Sequence, residues 1–270
     1  MASVDIASFI RRTALAVAHR ADLGHPGGDL SCADILAVLF AEKLRYDSED
    51  PSWPGRDRFI LSKGHAAIAY YAALAAVGLL DPSELDSFGA FQSQLSGHPA
   101  VTKLPLVEAS TGPLGHGLCV GGGIALAASL GSTRFDCYVL AGDGELQEGS
   151  NWEALMFAAH RRLDNLVLIV DRNRLQHGGH TEDICSLGDL RAKLESFGWL
   201  VSEIDGHDHL QLRSALSRDD QRGRPYCILA NTVKGKGVSF MEGRADWHHR
   251  IPNSSELSLA IAEIEAAQDV

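Results

Sequence analysis

Gly142-Asp143-Gly144 follows an apolar run, Phe135–Ala141, and leads into a helical pattern near Gln147. A second apolar run, Leu166–Val170, ends just before Asp171-Arg172-Asn173. The order strand, glycine turn, helix, strand, asparagine constrains the fold strongly. It places Asp143 and Asn173 at the carboxyl ends of neighbouring parallel strands, the edge where open α/β sheets bind ligands. A glycine-rich turn between strand and helix lets backbone N–H groups approach a phosphate, and the helix dipole favours an anion there. Two phosphates beside a carboxylate need a cation between them. Asp143 and Asn173 offer hard oxygen donors of the type Mg²⁺ or Ca²⁺ selects. The plainer reading, two ordinary Asp/Asn turn residues, stays open on spacing alone.

The rest of the chain repeats the alternation. Amphipathic helices are expected over Val4–His19 and over Cys32–Lys43, the latter with Ser31 as its cap. Arg58–Leu61 reads as a short strand and His65–Val77 as an Ala-rich helix. Asp81-Pro82 has the form of a helix start. Gly117–Leu130 reads as a helix whose glycines and alanines let a neighbour come close. After strand 135–141 come helix 147–162, strand 166–170, helix 189–197, strand 199–204, helix 209–218 and strand 225–230. Leu175–Leu187 is expected to be an irregular loop over the ligand, and Ser254–Ala266 a last helix. The fold class is α/β: a doubly wound, mostly parallel sheet with helices on both faces. Residues 1–270 read as one domain, with its core at about 7–252 and a helical tail over 253–270.

Composition narrows the function classes. A net charge of −11 with no compensating basic stripe argues against nucleic acid as the main partner. The five cysteines are scattered, without CxxC or metal spacing, as small core residues in a reducing compartment would be. No secretory pattern opens the chain and no apolar run has the length of a membrane span, so a cytoplasmic protein is expected.

Twelve histidines are many for this length. Five sites sit beside Gly, Pro or Trp in turn-like settings: His25, His65, His98, His116 and the pair His248-His249. A side chain that titrates near neutrality suits proton transfer, and its N–H groups suit hydroxyls and phosphates. His19, His160, His207 and His209 read as structural, while His177 and His180 lie undecided in the loop after Asn173.

These pieces together resemble the N-terminal, diphosphate-binding half of transketolase, a thiamine diphosphate enzyme. The matching runs are Gly24-His25-Pro26-Gly27, Arg58 to His65, Gly97-His98-Pro99, Thr111 to Gly115, Gly142 to Gly149, Trp152-Glu153-Ala154, Asp164-Asn165-Leu166, Asp171-Arg172-Asn173 and Lys234-Gly235-Lys236-Gly237. They occur in the family's order from about Ala7 to Pro252. The Glu148-Gly149 to Ala154 run favours transketolase over 2-oxo acid dehydrogenase α subunits.

The resemblance implies that Asp143, Asn173 and the Leu175 carbonyl bind Mg²⁺ (or Ca²⁺). Gly142 and Gly144 would approach the diphosphate. His65 and His248 would lie beside the diphosphate and the reacting carbon, and His25 and His98 would face the sugar hydroxyls. Gly112, Pro113 and Leu114 would hold the aminopyrimidine through backbone groups. Glu148 and Glu153 match acidic residues at the family's dimer interface. His116 stands where the family often has Gln, and His249 where Gly is common.

The resemblance also implies what other domains supply. In transketolases a second, pyrimidine-binding domain and a C-terminal domain complete the enzyme. The expectation is therefore one subunit of a split transketolase, working in a dimer of heterodimers with a C-terminal transketolase subunit on sugar or sugar-phosphate substrates. The alternative is a thiamine-dependent component that passes a two-carbon unit to a lipoyl or carrier-protein acceptor.

Overall fold

The computed structural model describes residues 1–217 and 223–267. Among the described residues the helices, in chain order, are α1 Ser3–Ala21, α2 Pro26–Ser31, α3 Ala33–Val38, α4 Ala67–Ala76, α5 Gly117–Leu130, α6 Gly149–His160, α7 Thr181–Ile184, α8 Leu190–Ser196, α9 His209–Ser217 and α10 Ser254–Ala266. The strands are β1 Arg58–Leu61, β2 Cys137–Gly142, β3 Leu166–Arg172, β4 Leu175–Gln176, β5 Gly179–His180, β6 Leu200–Asp205 and β7 Tyr226–Asn231. Five of them form a sheet in the order β1-β2-β3-β7-β6, and every pairing is parallel. The doubly wound expectation holds.

Alternation along the strands divides the interior into two cores. Phe59, Leu61, Tyr138, Leu140, Val167, Ile169 and Ile228 pack against α1, α3, α4, α9 and α10. Their neighbours Ile60, Val139, Ala141, Leu168, Val170 and Leu229 point the other way, toward α5, α6 and α8. A strand buried on both faces must be apolar at consecutive positions, which is why these runs read as continuous hydrophobic stretches.

Helix α5 approaches the sheet closely because its small residues allow it. A Cβ on Gly121 would lie 2.5 Å from Val139 Cγ2, whereas one on Gly123 would meet nothing within 4 Å. The expected close approach of this helix is thus located at Gly121 and, against Ser62 just past β1, at Gly117.

The sequence reading needs correction at α2 and α3. Cys32–Lys43 is not one helix: α3 ends at Val38 and a π-helical turn, Leu39–Lys43, follows. Ser31 does not cap α3. It is the last residue of α2, an element not foreseen, and its hydroxyl donates to the Asp171 carboxylate at 2.6 Å. Pro26 at the first turn of α2 starts that helix. Strand β2 begins at Cys137 rather than at 135, and a short 3-10 turn, Gly144–Gln147, precedes α6. The loop expected over 175–187 contains the antiparallel β4–β5 hairpin and α7. Asp81 accepts the Ser83 N–H as a cap should, but heads a 3-10 helix, Pro82–Ser87. The end of the helix expected over 209–218 and the tail residues 268–270 lie outside the described residues. Among the described residues no helix is long and apolar enough to cross a membrane.

Gly121→Val is expected to destabilise the chain by about 1–3 kcal/mol through overpacking against β2. Gly123→Ala is expected to stabilise it by roughly 0.5–1 kcal/mol through backbone entropy. Guanidinium unfolding of the two variants measures both shifts.

Candidate active site at the carboxyl edge of the sheet

The carboxyl ends of β1, β2, β3 and β7 converge on one cleft of about 320 Å³. Strand β1 delivers Lys63 and His65. Strand β2 delivers Gly142, Asp143 and Gly144, strand β3 delivers Asn173 and Leu175, and the segment after β7 delivers Lys234. His98, Gly112, Leu114, His177 and His248 complete the wall from loops.

Asp143 is buried, and its Oδ1 accepts the Gly144 N–H at 2.9 Å while Oδ2 accepts the Arg174 N–H at 2.7 Å. Burial, together with the nearby Asp171 charge, pushes its carboxyl up to about 6. An acid in this position gains from a cation beside it. Asn173 Oδ1 accepts the Leu175 N–H at 3.0 Å, and its Nδ2 donates to Asp171 Oδ2 at 3.3 Å. The donor set at this edge is one carboxylate, one amide oxygen and one main-chain carbonyl, all hard oxygen. That is the chemistry a magnesium or calcium ion selects, so the residues fit the implied metal. The Gln176 Oε1 and His25 Nδ1 atoms are buried without a hydrogen-bond partner among the described residues. Unpaired buried polar atoms are costly, and here two of them flank the cleft.

The histidines expected to cooperate do meet. The His25 ring lies 5.2 Å from His65, 6.2 Å from His98, 5.5 Å from His248 and 4.6 Å from His249, between ring centroids. His65 and His248 are 5.3 Å apart, and His177 stands edge-on to His248 at 5.3 Å. Burial and then the neighbouring charges lower them: His25 to about 4, chiefly beside His249 and His98, and His248 to about 3, chiefly beside Lys234. His65 falls well below its usual value by burial and the Lys63 charge, and His98 falls by burial. All four shifts favour the uncharged ring, which donates from one nitrogen and accepts at the other.

Glycine shapes the wall. A Cβ on Gly64 would fall 2.6 Å from Thr111 Oγ1 and 2.9 Å from the Gly112 nitrogen, so the turn at 111–112 can sit against the end of β1 only if residue 64 has none. Gly112 itself has φ +136°, strained for any L side chain.

Some expected residues lie off the cleft. Pro113 does not line it, though Gly112 and Leu114 do. Glu148 is exposed at the cap of α6, and Glu153 is exposed on that helix. A second acid buried at the cleft beside Asp143 is Glu145: it accepts the Ser62 hydroxyl, the Gly115 N–H at 2.9 Å and the Gly142 N–H at 3.1 Å. His116 caps α5 in an exposed position. His19, as expected, is structural and binds the Pro252 carbonyl at 2.7 Å.

Sequence reading missed the lysines. Lys63 is buried, pairs with the equally buried Asp171 and donates to the Gly28 carbonyl at 2.9 Å. Lys234 is buried too, with Nζ 2.7 Å from His248 Nδ1 and 3.3 Å from the Leu175 carbonyl. Burial and the Lys63 charge lower Lys234 to about 8. The available signal was position: each lysine follows the end of an apolar strand and is flanked by glycine one residue on, a setting for backbone-close contacts rather than a solvated face.

A parallel sheet edge that gathers hard oxygen donors, lysines and uncharged imidazoles is the arrangement of a diphosphate-binding α/β domain. Residues 2–260 match the family described as transketolase, thiamine diphosphate binding domain. The chain is 43% identical over 256 residues to an apulose-4-phosphate transketolase subunit from Phocaeicola vulgatus, covering 94% of this chain and 90% of that protein. It is 39% identical over 260 residues to a 6-deoxy-6-sulfo-D-fructose transketolase subunit of a Clostridium species, covering 96% of this chain and 94% of that protein. Its structure superposes on transketolase from Leishmania mexicana with a TM-score of 0.92 at 32% identity, covering 98% of this chain and 41% of that one. The chain therefore belongs to the transketolase family, whose named members are transferases, and it spans about two fifths of the length of that solved structure.

Lys63→Met is expected to cost about 3–5 kcal/mol in denaturant unfolding, because Asp171 is left buried and unpaired. Adding Asp171→Asn should recover part of the loss. Asp29, wholly buried on α2, has one oxygen on the Ala69 N–H at 3.0 Å and the other without a hydrogen-bond partner among the described residues, and burial raises its carboxyl from 3.8 to about 7. A folded-state value above the unfolded one means that Asp29 lowers stability as pH rises from about 4 to 7, by roughly 2–4 kcal/mol in all. In Asp29→Asn the unfolding free energy should lose that slope.

Proposed function

We propose that this chain is a single diphosphate-binding unit, with its core at about residues 7–252, that holds thiamine diphosphate through a divalent cation, Mg²⁺ first. With a partner subunit carrying the pyrimidine-binding and C-terminal domains, it transfers a two-carbon ketol unit from an anionic ketose to an aldose. The observation that carries the reading is the buried, charge-disfavoured Asp143 carboxylate at the same sheet edge as Asn173 and the Leu175 carbonyl. Asp143, Asn173 and Leu175 would hold the cation. Gly144 and Lys234 would receive phosphate oxygens, and Gly112 and Leu114 would contact the aminopyrimidine.

Thiamine diphosphate, when bound, supplies the carbanion chemistry that makes and breaks the bond to the two-carbon unit. The chain supplies the surroundings. His25 and His98 hold hydroxyls of the sugar. His65 accepts or returns the proton of the hydroxyl next to the cleaved bond, and His248 offers its ring N–H beside it. The cleft walls from the turn at 111–114 and the β4–β5 hairpin keep water from the reacting atoms.

A partner is supported in two ways. Relatives named as transketolase subunits have nearly this chain's length. Val120 on α5 and Met156 and Phe157 on α6 are exposed on packed helices, the latter beside Glu153. No relative described above favours the lipoyl or carrier-protein acceptor.

Asp143→Ala should abolish Mg²⁺-dependent binding of thiamine diphosphate in calorimetry and Mn²⁺ binding by electron paramagnetic resonance, with far-ultraviolet circular dichroism unchanged. Retained metal-dependent binding in that variant would overturn the proposal.

A further inference from the structure

Asp34, on α3, is buried away from the cleft at the centre of a polar network. Arg11 of α1 pairs with both its oxygens, His207 Nδ1 lies 2.7 Å from Oδ2, and His209 Nε2 lies 3.0 Å from Oδ1. His209 goes on to Ser3 Oγ at 2.8 Å, which makes it a tie between α9 and α1. His207 goes elsewhere: its Nε2 lies 2.8 Å from the Val233 nitrogen. A backbone N–H only donates, so Nε2 of His207 is the bare, accepting nitrogen. The proton therefore sits on Nδ1 and is donated to Asp34.

The bond lands at a sensitive point. Thr232 N–H is held by the Arg172 carbonyl at 3.2 Å and Gly235 N–H by the Gly27 carbonyl at 3.0 Å. Between them, Val233 N–H is held by the imidazole, and the next residue is Lys234. An ammonium likewise only donates, so its 2.7 Å contact makes His248 Nδ1 an acceptor and leaves the His248 proton on Nε2. Two tautomers are thus set in series, His207 by Asp34 and Val233, and His248 by Lys234.

We propose that His207 is a positioning residue: the Asp34–His207–Val233 relay fixes the backbone that aims Lys234, and through Lys234 it fixes which nitrogen of His248 bears the proton. The inference rests on the cofactor-site reading for its functional meaning, but its geometry is testable without cofactor. The full chain, labelled with ¹⁵N-histidine, is read by long-range ¹H–¹⁵N correlation. The unsubstituted chain should show Nδ1–H at His207 and Nε2–H at His248. His207→Phe should move His248 to mixed-tautomer shifts and weaken Mg²⁺-dependent thiamine diphosphate binding roughly tenfold, as loss of an outer-sphere partner does at other sites. His207→Gln, which returns an acceptor near the Nε2 position, should restore both readouts. His209→Leu removes one donor from the same Asp34 network without touching Val233 and should leave the His248 shifts in place. A different His207 tautomer in the unsubstituted chain overturns the proposal, even if His207→Phe fails to fold. Unaltered His248 shifts in folded His207→Phe, or equal shifts in His209→Leu, overturn it as well. Failure of the unsubstituted chain to bind thiamine diphosphate would instead count against the cofactor reading, with the tautomers still deciding the relay.

Discussion

Asp171 gathers four donors on two oxygens: the Lys63 ammonium, the Ser31 hydroxyl and the Asn173 amide on Oδ2, and the Thr232 hydroxyl on Oδ1. These donors come from the ends of β1, β3 and β7 and from α2. Burial alone would keep the carboxyl protonated, yet Lys63 holds it below its usual value. A buried ion pair of this sort contributes little net stability compared with an apolar alternative, but it is unforgiving of the loss of one partner. What it provides is placement. With its Nδ2 committed to Asp171, the Asn173 side chain presents its oxygen, and Lys63 is drawn into the floor of the cleft as a fixed positive charge.

Burial is what chiefly disfavours protonation of the imidazoles above that charge, and the Lys63 and Lys234 charges add to that effect at His65, His25 and His248. The positive field that would welcome a diphosphate thus acts in the same direction as burial on the histidines. Asp143 is opposed in the same way by Asp171. Burial and the fixed charges of Lys63, Lys234 and Asp171 together set the acid–base state of this edge.

Much of this was legible in the chain itself. The five-stranded alternation and the placement of Asp143 and Asn173 at adjacent strand ends follow from apolar runs punctuated by Gly, Asp and Asn. The convergence of His25, His65, His98 and His248 followed from their turn-like settings. Helix α2 was not legible because Pro26-Gly27-Gly28 reads as turn chemistry, while tertiary packing buries all six of its residues. Ser31 looked like a cap because serine usually is one before a helix; a buried carboxylate 140 positions away claimed its hydroxyl instead. Lys63 and Lys234 were silent because a lysine in a one-dimensional reading is a solvated charge, and only the fold shows two of them buried. Glu145 had no sequence signal of its own, because nothing in a one-dimensional reading tells that a carboxylate of a short 3-10 turn is buried.

Lys63, Asp171 and Thr232 continue, by parity of position, the strand faces that send Phe59 and Leu61, Val167 and Ile169, and Ile228 and Ala230 into the α1/α3/α4 core. Sliding any of these strands by one residue would exchange its two apolar sets and carry its polar end to the opposite side of the sheet. A misaligned strand could not keep a good interior while losing only the cleft, because the same pleat sorts oil from oil and aligns the charges. Errors in folding this sheet are thus penalised first by misfit between side chains of the wrong shape, which guards the geometry of the chemistry before any ligand arrives.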